Sequence, residues 1–232
     1  MKQKIYISLF ALTVFLLSCS STDKSISTEE KASTESSFET HIKYSSSIII
    51  NSNDIIIYPL NLNTEKFESY SRGGKTNYWN LVFHNVVSGK SELLTNKKLI
   101  ISKFNIGSSD QNSNQSSILS NSYIYYEVIN SDFDGDKKLT SKDPHKLFIS
   151  SLEGKSFTQI SPENYAVYTW KIDTKHDLIF MDLIKDTNGD KVFDDKDEVD
   201  YFVYNLKTRA PAKPVFDTAF KKEVKALAKK VL

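Results

Sequence analysis

Asp132, Asp134 and Asp136 place a carboxylate at every second position, and Asp186, Asn188 and Asp190 repeat that spacing of side-chain oxygens further along the chain. Each run is followed by a second acid seven residues past its last Asp, Asp143 and Asp197. With the first Asp as position one, oxygens fall at one, three and five, a backbone carbonyl at seven (Lys138 or Val192) and a carboxylate at twelve. Oxygen donors in that order suit a hard divalent cation, with calcium the expected ion and magnesium the alternative. Loop one carries four acids within twelve residues and loop two carries five, so a bound cation would relieve their mutual repulsion. The competing explanation is an ordinary turn, because Asp, Asn and Gly gather wherever a chain reverses. Two copies of one spacing favour the cation.

These two twelve-residue windows resemble the EF-hand loop, and more closely its dockerin-type variant, in which glycine stands at position four, here Gly135 and Gly189. The apolar residue the family keeps at position eight is present as Leu139 and Phe193. Three features depart from the pattern. Lys137 and Lys191 occupy position six, where the standard loop turns on glycine, and the closing acid is Asp rather than Glu. Pro144 and Glu198 follow position twelve, where the family starts a helix, so no exiting helix is expected.

The segments around the loops read as strands. Short runs and alternations rich in Ile, Val, Tyr and Phe cover 48–50, 55–60, 80–86, 99–104, 123–129, 146–151, 165–172, 178–184 and 201–206. Laying Ile124–Leu152 on Leu178–Leu206 superposes both acidic loops and matches Tyr126 with Phe180 and Phe148 with Phe202. Each unit is strand, acidic loop, strand, so the cation would staple a hairpin. A third copy without the acids spans Ile55–Asn61, a loop around Gly73-Gly74, and Tyr78–Val87. Turns at Val87-Ser88-Gly89-Lys90 and Leu152-Glu153-Gly154-Lys155 extend the repeat to a further strand. The stretch from Leu147 through Ile160, with Tyr168-Thr169-Trp170 and Asp177–Phe180, resembles a blade of bacterial periplasmic β-propellers of the Tol-system and WD type. The fold class expected is therefore all-β, with antiparallel propeller-blade-like repeats. About three blades are too few for a closed propeller, which typically uses four to eight.

Met1–Lys4 is basic and Ile5–Leu17 apolar but short for a bilayer span, which is the pattern of a secretory signal. Leu16-Leu17-Ser18-Cys19 resembles the lipobox of bacterial lipoproteins, which implies cleavage of residues 1–18 and lipidation of Cys19, the chain's one cysteine. Loss of Lys2 and Lys4 with the signal turns the formal net charge from +1 to −1. With Arg72 and Arg209 the only arginines, no nucleic-acid partner is expected. Residues 19–39 are Ser, Thr, Glu and Lys with almost nothing apolar, a composition that reads as a disordered tether.

Residues 40–216 form the expected β-repeat domain, and 217–232 an amphipathic helix capped by Asp217, with Phe216, Phe220, Val224, Leu227 and Val231 in one row. The simpler expectation for that helix is that it lies over an edge or end of the sheet. Catalytic residues are not assigned. The four histidines (His41, His84, His145, His176) lack metal-site spacing, and no nucleophile or phosphate-loop motif occurs. Glu127, Glu153, Glu163 and Asp173 are the acids left over for a glycosidase pair. Trp79, Trp170, Tyr123, Tyr125, Tyr126 and Tyr168 could stack on a sugar, although strand alternation favours core packing.

The reading these features support first is a membrane-anchored, calcium-binding envelope lipoprotein, not an enzyme, presenting a β surface to a protein or glycan. An envelope or polysaccharide-processing enzyme and a dockerin-like docking module are the alternatives.

Overall fold

The structure, a computed structural model, describes residues 42–50, 53–62, 77–108 and 119–231. The expected signal 1–18, the tether 19–39 with Cys19, His41 and the Gly73-Gly74 loop lie outside the described residues. Among the described residues the protein is all-β, with two antiparallel sheets and one C-terminal α-helix.

The first four strands, β1 (Ile48–Ile50), β2 (Ile55–Asn61), β3 (Tyr78–Asn85) and β4 (Ser91–Leu93), form a meander in chain order. The next four, β5 (Ile100–Ile106), β6 (Tyr123–Ile129), β7 (Lys146–Ser151) and β8 (Thr158–Gln159), do the same. A single residue pair, Tyr78 with Ile101, joins these two units into one eight-stranded sheet. The last four, β9 (Ala166–Asp173), β10 (Leu178–Lys185), β11 (Glu198–Asn205) and β12 (Lys213–Pro214), make a separate sheet. The chain thus repeats one four-stranded antiparallel unit three times. The sequence marks nine of these strands to within a few residues. It leaves β4, β8 and β12 without bounds, because two or three residues are too few to show alternation.

Two cores hold the units face to face, and the middle unit supplies both. Ile124, Tyr126, Val128 and Phe148 pack with Ile55, Ile57, Leu81 and Phe83 of the first unit. Their neighbours Tyr123, Tyr125, Leu147 and Ile149 pack with Ile179, Met181, Leu183 and Phe202 of the third. Successive strand residues point to opposite faces, so a strand buried on both faces reads as an unbroken apolar run. That is why Tyr123–Ile129 lacks polar alternation. The tyrosine hydroxyls are satisfied by hydrogen bonds: Tyr125 donates to the Ser120 carbonyl at 2.7 Å, and the Tyr126 hydroxyl pairs with that of Ser150 at 2.7 Å. Residues His41–Leu232 form one compact unit that contains both cores.

The helix α1 (Thr218–Val231) starts as expected, with Asp217 Oδ1 accepting the Phe220 N–H at 2.8 Å. It meets the sheet along β11, where Lys221 pairs with Asp200 and Lys225 with Glu198, and none of its residues is buried.

Candidate metal centre

Each acidic loop leaves the second strand of a unit and enters the third, loop one from β6 to β7 and loop two from β10 to β11. Strands flank both, where a dockerin-type module has helices. The hydrogen bonds from backbone amides to the carboxylates and amide oxygen at positions one, three and five recur in both loops. The position-one carboxylates bind the amides of positions four and six: Asp132 takes Gly135 and Lys137, both at 2.7 Å. Asp186 takes Gly189 at 2.7 Å and Lys191 at 3.2 Å. Position three takes the amide of five, Asp134 from Asp136 at 3.0 Å and Asn188 from Asp190 at 2.8 Å. Position five takes that of seven, Asp136 from Lys138 at 2.8 Å and Asp190 from Val192 at 2.9 Å.

This winding turns the side-chain oxygens inward. In loop one, oxygens of Asp132, Asp134 and Asp136 all lie within 4.8 Å of one another, a group that could hold a metal ion. In loop two position three is the neutral Asn188 amide, which also donates to Asp190 Oδ2 at 3.0 Å. The turn that standard loops assign to glycine is made here by lysine: Lys137 and Lys191 sit at φ of 67° and 64°. A left-handed conformation at a non-glycine residue costs about 1 kcal/mol or more, and the amide bonds to Asp132 and Asp186 offset it.

Position twelve, where a ligand is expected, is also tied to the loop's own backbone. Asp143 is buried and binds loop one's own backbone, taking the amides of Phe133 and Thr140 at 2.8 Å each. Asp197 does the same with Thr187 at 2.8 Å and Asp194 at 3.4 Å. Both close the base of the loop, and a carboxylate oxygen that accepts one amide keeps a lone pair for a cation. The Thr187 amide, working against desolvation, holds the Asp197 carboxyl below its ordinary value. For Asp132, partial desolvation acts upward, but the donated amides of Gly135 and Lys137 outweigh it, and the group stays below the ordinary aspartate value. It is therefore charged at neutral pH.

The loops touch. Phe133 at position two of loop one packs on Phe193 at position eight of loop two, with ring centroids 4.9 Å apart. The Lys191 ammonium reaches the Asp134 carbonyl at 3.4 Å. Leu139, at position eight of loop one, faces Trp79 of the first unit across a shallow apolar hollow. At Phe193 the position-eight residue seats loop two on loop one.

Lys146, which opens the strand after loop one, carries no mark in the sequence pattern. It is 2 % exposed, and its ammonium donates to the carbonyls of Glu163 and Tyr165. Burial pushes it down to about 8, with Glu163 acting in the opposite sense. Between that value and the ordinary 10.5, the unfolded chain binds a proton that the folded chain has released, so stability rises with pH in this window. Denaturant titrations at pH 8 and 10 should therefore show wild type gaining about 1–2 kcal/mol relative to Lys146→Met. Parallel pH profiles of the two proteins would remove the burial penalty.

The other candidate surface is a cleft of about 410 Å³ between β5 and β9, lined among others by Lys103, Asn105, Glu127, Tyr168, Trp170 and Lys171. Its carboxylate, Glu127, accepts the Trp170 indole N–H at 2.9 Å and lies 3.8 Å from the Lys103 ammonium. The acid pair of a glycoside hydrolase is not assembled among these lining residues. Of the aromatic candidates, Tyr123, Tyr125 and Tyr126 are core residues, and Tyr168 is 72 % exposed beside the half-buried Trp170. The described histidines are dispersed, sharing hydrogen bonds with Ser91, Ser102 and Asp173. No protein-family model matches the chain, and no curated protein matches it.

Proposed function

We propose that this chain is a lipid-anchored protein of a bacterial cell envelope whose three-unit β-domain is stapled by calcium and presents its surface to a protein or glycan. The observation that carries the reading is the duplicated loop, with the same hydrogen-bond skeleton in both copies and three aspartate oxygens of loop one gathered within 4.8 Å. Three carboxylates at that spacing repel one another by roughly 1–4 kcal/mol per pair, depending on screening. A divalent cation relieves that repulsion. The ligands are Asp132, Asp134, Asp136, the Lys138 carbonyl and Asp143 in loop one, and Asp186, Asn188, Asp190, the Val192 carbonyl and Asp197 in loop two. Asp143 and Asp197 hold the loop base. The role is structural, because strands flank both loops and calcium sensors work by reorienting helices. Anchorage rests on the Cys19 motif alone. The cleft between β5 and β9, with the exposed Tyr168 ring among Lys, Asn and Glu side chains, is the surface best furnished for a glycan or polar peptide.

Calorimetric titration of residues 41–232 with calcium should give two sites. Asp132→Ala should leave the loop-two site and Asp186→Ala the loop-one site. Wild type taking up no calcium would end this reading. Mass spectrometry of the membrane-extracted protein should find an acylated Cys19 as the first residue.

A further inference from the structure

The helix α1 is the part of the described protein least accounted for by the domain beneath it. Phe220, Val224, Leu227 and Val231 recur at helical spacing, and their exposure climbs from 46 % at Phe220 to 74 % at Val231. The helix is nevertheless held in place at its start. Phe216 packs edge-on against Tyr201 with centroids 5.7 Å apart and also touches Phe220 at 5.3 Å. Lys221 pairs with Asp200, and Lys225 reaches Glu198 at 3.3 Å. In projection, Lys221 and Lys225 lie on one flank of the apolar row, so β11 grips that flank and leaves the row itself uncovered.

The helix's charge says what covers the row. Its fourteen residues hold five lysines and one acid, Glu223, and of the lysines it is Lys221 and Lys225 that make ion pairs among the described residues. A second copy packed through the row would meet lysine on both flanks, Lys221 and Lys230, with Glu223 the one acid of the helix to answer them. An anionic surface answers all of them. Lysine stems can lie along an apolar boundary while their ammonium groups reach outward to phosphate. A helix with a narrow apolar row, a lysine-rich opposite face and few apolar residues in total is the type that lies in the headgroup layer.

We infer that α1 docks flat on an anionic lipid surface, with Phe220, Val224, Leu227 and Val231 inserted below the headgroups. This contact is separate from the calcium loops and from Cys19. It orients the β-domain, because β11 is fixed to one flank of the helix that lies on the lipid.

The test is flotation of residues 41–232, which lack the lipidation site, with phosphatidylcholine vesicles with or without one-third phosphatidylglycerol. Binding should be at least about tenfold stronger to the anionic vesicles and should fall in high salt. Leu227→Ser with Val231→Ser, and separately Lys222→Glu with Lys229→Glu, should each weaken it by about tenfold or more. Both double variants should melt with wild type, because none of the four side chains is buried. Equal binding to both vesicle types, no binding, or variants that bind like wild type would overturn the assignment. So would a wild-type dimer in sedimentation equilibrium that the serine variant abolishes, which would give the row to a second copy.

Discussion

Transfer of residues 41–232 from millimolar calcium into chelator should lower the melting temperature by about 10 °C or more. A ligand that binds the folded but not the unfolded chain stabilises by RT ln(1 + [L]/Kd), about 2.7 kcal/mol per site at a hundredfold excess over Kd. Two sites supply about 5 kcal/mol, and in a domain of this size each kcal/mol moves the midpoint by roughly 2–4 °C. Asp132→Ala and Asp186→Ala should each cut the calcium response by about half, and the double variant should lose it. These variants also remove acceptors for two amides apiece, at positions 135 and 137 or 189 and 191. The informative quantity is therefore each protein's difference between calcium and chelator, not its melting point in either. A magnesium arm decides the ion, since magnesium demands near-ideal octahedral geometry and dehydrates reluctantly. Identical melting in calcium and chelator would reduce both loops to acidic turns held by their own backbone bonds.

A second large effect lies at the turn from β7 to β8. Gly154 has φ of 75°, and a Cβ built on it would come within 2.6 Å of the Phe83 ring. Phe83 is 4 % exposed in the core between the first two units and borders a cavity of about 690 Å³ beside the turn, into which its ring would have to shift. Gly154→Ala therefore combines a strained backbone with overpacking and should cost about 3 kcal/mol. Gly89 occupies the corresponding turn from β3 to β4 at φ of 68°, with nothing within 4 Å of its Cβ position. Gly89→Ala should cost about 1 kcal/mol, the backbone effect alone. Urea unfolding of the pair separates conformation from contact. Equal losses would mean that Phe83 yields and that the close approach of the two units is soft.

Those two glycines show where sequence reading runs out. Both announce a hairpin turn by residue type and spacing, yet only the packing of one unit on another makes Gly154 the costlier to replace. The acidic loops divide in the same way. The alternate spacing of Asp132, Asp134 and Asp136 is enough to converge their oxygens, because the intervening amides bond back to the same carboxylates within five residues. Asp143 has the spacing of a ligand, and the folded loop adds what the spacing does not show, that its oxygens take the Phe133 and Thr140 amides. Lys146 opens a strand that is otherwise largely apolar, and nothing local signals that carbonyls from Glu163 and Tyr165 converge on its ammonium.

What the sequence by itself determined is whatever short-range geometry enforces: the long strands, since alternation follows from the pleat, the doubled strand-loop-strand unit, the two loops, and the start of the helix at Asp217. The tertiary structure alone decided which faces meet. It buried the middle unit on both sides, set Phe133 against Phe193, and left the apolar row of α1 uncovered. Such contacts join residues tens of positions apart, and their energy depends on the shape and charge of both partners at once, which no window of sequence contains.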